Sequence, residues 1–156
     1  MNDLALFGHL VGVLLLVSGA VVAGIAFESG RRREAPAEIA LVLNLARTGA
    51  ILAMVGIVLV PVFGFWLVDA EDVSTGAGWL RAAFVLFVAA AVLGGIGGRA
   101  PRQARELAAR LGAEGKPATP ELRALLDEPR ARVVNYGSGL LVLAVLVLMV
   151  WKPGGG

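Results

Sequence analysis

Between Leu4 and Phe27 the chain runs for 24 residues without an Asp, Glu, Lys or Arg, and His9 is the only side chain there able to carry charge. A helix of that length extends about 36 Å, enough to cross a hydrocarbon core of ~30 Å with some tilt. Lipid offers no partner to an unpaired backbone group, so a run of this kind spans as a helix or not at all. Three more apolar runs follow, Ile39–Val68, Trp79–Gly98 and Val133–Trp151. Charged residues make up 17% of the chain and fall mainly between these runs, against roughly 25% in a soluble domain. The expectation is an all-α polytopic membrane protein: one membrane domain over residues 1–156, a four-transmembrane-helix bundle.

The connections set the threading. Asn2 and Asp3 precede the first span and Arg31, Arg32 and Arg33 follow it, the charge order of an uncleaved anchor rather than of a signal peptide. Residues 28–38 form a short basic loop. Residues 39–68 would make about 45 Å of helix, too long for the core without heavy tilt. Thr48–Val68 is the charge-free part, so 39–46 is expected to extend beyond the bilayer. Asp69, Glu71 and Asp72 make the second connection acidic. Residues 99–132 form the one substantial polar segment, with a helix expected over 101–111 that ends at Gly112. A second helix is expected over 120–128, with Thr119 as N-cap, Pro120 at its first position and Pro129 ending it.

Eleven of the 14 Lys and Arg residues lie in the first and third connections. The positive-inside rule then puts loops 28–38 and 99–132 in the cytoplasm and both termini outside, in a bacterial-type inner membrane. Trp66, Trp79 and Trp151 all fall at outer span ends, where interfacial tryptophans belong. The same topology accounts for the pI of 9.7 without nucleic acid.

Small residues indicate how the helices pack. Ala5, Gly8, Gly12, Gly19 and Ala23 share one face of the first span, and Gly94 and Gly98 pair in the third. Such residues let backbones approach where lipid supplies no hydrophobic drive between helices. Pro61 removes a donor in the second span and releases the carbonyl of Ile57, predicting a mild kink.

Few residues carry chemistry. No Cys is present, which excludes thiolate metal sites and disulfides. No Asp, Glu or Lys sits in the middle of a span, so a carboxylate relay for ion transport is missing. The glycines at 94, 95, 97 and 98 are not followed by Lys-Ser/Thr, which removes a phosphate loop. His9 is a candidate cofactor ligand, or an interfacial imidazole held by a hydrogen bond. A polar cluster of Asn44 and Arg47 with Asn135 and Tyr136, joined by Thr48, Ser138 and Glu28, is a candidate site for a lipid phosphate or small anion. Its simpler reading is Arg47 snorkelling to headgroups while amides tie two helices. Arg81 is expected to pair with Asp69 or Asp72. His9 with the acidic loop makes only a poor divalent metal site.

The residues His9-x-x-Gly12-x-x-x-Leu16-x-Ser18-Gly19 resemble the first helix of a broad group of small membrane proteins. It includes the CopD copper-resistance proteins, the HemJ-type protoporphyrinogen oxidases and an uncharacterised four-helix integral membrane family, a domain of unknown function of the "twenty-two sixty-nine" type. The last is most similar in length, span number and basic third loop. His9, Gly12 and Gly19 match the group, whereas Leu16 stands where it has tryptophan. The resemblance implies a haem-ligand role for His9. The haem-binding branch also has a second histidine and an intramembrane lysine, which this chain lacks, so two histidine ligands would require two protomers.

The expected function is a non-enzymatic membrane module or accessory subunit. Its expected partners are the bilayer, a protein or anionic lipid at loop 99–132, and further copies of the chain in a homo-oligomer. The alternatives are a haem- or metal-associated redox or transport component using His9, and lipid or small-anion handling around Arg47.

Overall fold

A computed structural model describes residues 2–70 and 77–151. Six helices account for most of them: α1 (Asn2–Arg31), α2 (Pro36–Ala70), α3 (Gly78–Gly97), α4 (Arg99–Ala113), α5 (Pro120–Leu126) and α6 (Pro129–Trp151). No strand occurs among the described residues. Four helical stretches are long and apolar enough to span a membrane. In their most apolar windows only 6–22% of residues are buried, so the side chains facing outward are hydrocarbon that only lipid can cover. The all-α membrane bundle expected from the sequence is the observed architecture.

The bundle is built from two antiparallel pairs. In the first, α1 lies along α2 on the predicted small-residue face. A Cβ added to Gly56 would stand 2.5 Å from the Leu16 amide nitrogen and 2.6 Å from the Gly12 carbonyl oxygen. One added to Gly49 would stand 2.6 Å from the Ala23 nitrogen. The two backbones therefore touch, and dispersion over that contact holds the pair together in lipid. Leu16, at the position where the resembling group has tryptophan, is 8% exposed and seated against Gly56.

In the second pair α3 packs on α6. Ser138 donates a 2.9 Å hydrogen bond to the Ala90 carbonyl, with Gly94 leaving room for its hydroxyl. Gly97, rather than Gly98, is the close-packed glycine at that end: it lies against the Asn135 amide, whereas the nearest atoms to Gly98 belong to its own helix. Phe65 of α2 meets Phe84 of α3 across the pairs, with ring centroids 5.6 Å apart.

Beyond the spans lies a small helical cap. α2 is one helix of 35 residues, about 52 Å, longer than a hydrocarbon core of ~30 Å. Gly98 has helical dihedrals (φ −74°, ψ −10°), so α3 passes into α4 with hardly a break, and α4 packs back along the start of α2. The largest fully buried side chains of the molecule, Ile39, Leu43, Leu122 and Leu126, are all here. Each contributes roughly 1.5–3 kcal/mol by leaving water. No such gain exists inside a bilayer, which is why the large aliphatics cluster in the cap and the glycines in the spans.

Helix ends in the cap differ from expectation at one point. Gly112 does not stop α4. It lies against Ala37 of α2, where an added Cβ would come within 3.1 Å of the Cα. The helix runs one residue further, to Ala113, with Glu114 as its C-cap; Gly115 (φ +62°) turns the chain just beyond, and the Lys116 amide reaches the Leu111 carbonyl at 2.9 Å. Thr119 caps α5 as predicted, its hydroxyl accepting from the Leu122 amide at 3.3 Å. Pro129 separates α5 from α6 and is itself the first residue of α6, four residues before the expected Val133.

Arg123 fastens α5 to α1. Its guanidinium donates to the Arg31 carbonyl (3.2 Å) and the Arg33 carbonyl (2.7 Å), both left without intrahelical partners beyond the last turn. Arg31 in turn donates to Asp127 (2.8 Å) and Glu28 (2.8 Å). The short basic connection is thereby tied to the cap rather than hanging free.

Candidate functional sites

His9 sits in the α1–α2 contact at the end of the pair remote from the cap. Its Nδ1 lies 2.9 Å from the Val60 carbonyl oxygen. A carbonyl can only accept, so Nδ1 carries the proton, and Nε2 is the ring nitrogen outside this bond. Gly64 makes the pocket for the ring: a Cβ there would stand 3.2 Å from Nδ1. Neither Val60 nor Gly64 is marked by sequence alone, because nothing local reveals which turn of α2 faces residue 9. The residue before Pro61 lies where the backbone ladder is interrupted one turn earlier, and the imidazole ties α1 to that place.

The polar cluster is distributed differently from its sequence reading. Asn44 accepts from Arg105 of α4 at 3.4 Å, and Thr48 donates back to the Asn44 carbonyl at 3.2 Å. Arg47 is exposed and makes no hydrogen bond or ion pair among the described residues. Asn135 packs on Gly97 of α3, and Tyr136 is 66% exposed. No hydrogen bond joins Asn44 or Arg47 to Asn135 or Tyr136. Arg105 is the partner that sequence reading missed. Gly112 beside Ala37 and Arg105 beside Asn44 belong to one antiparallel register of α4 on α2, which appears only once the helices are docked.

At the other end, Asp69 and Arg81 form no ion pair with each other, and Glu71 and Asp72 lie outside the described residues. No group of three His, Cys, Asp or Glu side chains converges among the described residues. Phe63 and Trp66 stack at 6.0 Å near the end of α2, Trp151 is exposed, and Trp79, in the first turn of α3, is buried.

Most of the charged side chains belong to the cap and the connections tied to it. The apolar side of α4, Ala100, Ala104, Ala108 and Leu111, is buried. It is thus occupied by the protein's own helices and is not free to ride on a leaflet. What remains outward includes an open groove of about 330 Å³ between α4 and α5. Leu107 and Leu125 line it together with Gln103, Glu106, Arg110 and Glu121.

Comparison with known families gives one match. The model of a family described as "Predicted integral membrane protein (DUF2269)" matches residues 4–153. No curated protein and no solved structure matches the chain. The likeness to the CopD and HemJ groups therefore rests on the first-helix residues alone.

Proposed function

The chain belongs to the DUF2269 family of predicted integral membrane proteins, and we propose that it is a non-enzymatic membrane module, an accessory subunit that presents its cap to a protein partner. The observation that carries this is the groove between α4 and α5, whose lining of two leucines among polar and charged side chains suits an amphipathic segment of another protein. Arg47 and Arg105, on the flank of α2 and α4, would face anionic headgroups. A photoreactive amino acid replacing Gln103 should give a discrete protein adduct in cells, weakened by Arg110→Gln. The same probe at lipid-facing Leu140 should give none. A smear from both positions would overturn the reading.

The cap is assigned to the cytoplasm and both termini to the outside of an inner membrane, on the strength of eleven basic residues at one end. The absence of native cysteine makes this simple to check. A single Cys replacing Arg110 should be shielded from impermeant maleimide in intact cells, and one replacing Gly78 should be labelled.

A second reading has a specific observation in its favour. Ligating histidines almost always donate their other ring N–H to a carbonyl or carboxylate, which is the arrangement of His9 and Val60. On that reading Nε2 binds haem, shared between two protomers. Protein from haem-supplemented cells should then show a Soret band with sharp bands on dithionite reduction, both lost in His9→Ala. A colourless wild type would remove this reading and leave His9 as a structural tie.

A further inference from the structure

We propose that the α1–α2 hairpin holds one phospholipid of the ethanolamine class in a groove at the cap end of the bundle, apart from the partner groove on the cap. The open groove has a volume of about 320 Å³, the small end of the range for ligand clefts (about 300–1,000 Å³). It is lined by Val22, Ile25, Ala26, Val42 and Leu45 and, toward the α1–α2 connection, which we take as its mouth, by Ser29 and Arg33. From Val22 to Arg33 is about 16 Å of chain along the helix direction. Over that length the lining passes from hydrocarbon to hydroxyl and guanidinium, the same order a leaflet follows from tail to headgroup. Ile25 and Leu45 are exposed on the bilayer-covered surface, so the groove opens to lipid and an acyl chain can enter it sideways.

The charges at the mouth choose the headgroup. Arg31 is engaged by Glu28 and Asp127, and Arg32 lies 3.8 Å from Glu28. Arg33 faces Glu38 at 3.4 Å, both side chains more than half exposed. An exposed pair of this kind contributes little, so a ligand carrying both charges can insert into it. A phosphate would accept from the Arg33 guanidinium and the Ser29 hydroxyl, and a primary ammonium would donate to Glu38. Phosphatidylethanolamine has both groups. Phosphatidylglycerol has no ammonium for Glu38, and phosphatidylcholine has no N–H to donate.

The test is native mass spectrometry of the full chain in mild detergent with equal amounts of the three lipids, matched in acyl chain. Wild type should retain one phosphatidylethanolamine, favoured over phosphatidylglycerol by about tenfold, the ratio one charge-assisted hydrogen bond produces. Arg33→Gln should lower retention of all three, and Val42→Phe should do so by filling the groove. Glu38→Gln should abolish the ethanolamine preference while leaving a lipid bound, and Arg110→Gln on the cap should change nothing. Equal retention of the three lipids by wild type would mean annular lipid only and overturn the proposal. Persistence of the preference in Glu38→Gln would overturn it as well.

Discussion

Single glycines in this protein differ sharply in what they permit. Gly56 has backbone atoms of α1 where a Cβ would go, and neither can move without parting the helices. Gly24, on the same helix as the contact, has nothing within 4 Å. Gly56→Ala should therefore cost about 1–3 kcal/mol through overpacking. Gly24→Ala should be neutral or stabilise by up to roughly 1 kcal/mol through helix propensity. Thermal unfolding of the two variants in the same detergent checks both signs. Sequence reading placed Gly8, Gly12 and Gly19 on a packing face but did not single out Gly56 or Gly64, since small residues on α2 gain meaning only opposite those of α1.

Helices in this chain are held by two different forces, divided at the bilayer boundary. The α1–α2 contact is a close backbone approach, and in α3–α6 side chains of α6 lie over Gly94 and Gly97, in both cases with little apolar area withdrawn from water. α4 and α5 are held by aliphatic burial and by the ties from Arg123 to the end of α1. Leu122→Ala, at a side chain with no exposure, should cost about 2–5 kcal/mol, all of it local to the cap. Hydrogen exchange should then quicken over residues 99–126 and stay unchanged in α1 and α6. Arg123→Gln should have a smaller effect in the same place. The predicted extension of α2 and the Thr119 cap were legible because helix length and capping chemistry are local. That Gly112 packs and Gly115 makes the turn after α4 was not, because either glycine can serve a helix end and only the approach of Ala37 decides which must be small.

At the scale of the molecule, the two pairs are joined chiefly through α4 on α2 and by lesser contacts such as Phe65 with Phe84. A chain divided between Ala70 and Gly78 and expressed as two pieces should therefore co-purify through the cap. Ala108→Asp, which buries an unpaired carboxylate against α2, should separate the pieces while each still inserts in the membrane. Co-purification undiminished by that change would place the main junction within the spans instead.

The sequence by itself determined that this is a four-span membrane protein with basic first and third connections, which face of α1 is small, and that α2 is longer than a bilayer core. Those properties follow from hydropathy, charge and helix length, each readable along a single stretch of chain. Only the tertiary structure decided that α1 takes α2 and α3 takes α6, that Asn44 belongs to Arg105 rather than to Asn135 and Tyr136, and that His9 holds the Val60 carbonyl. Glycine faces and arginines are interchangeable until a register is chosen, and that choice is made by contacts between segments far apart in the chain.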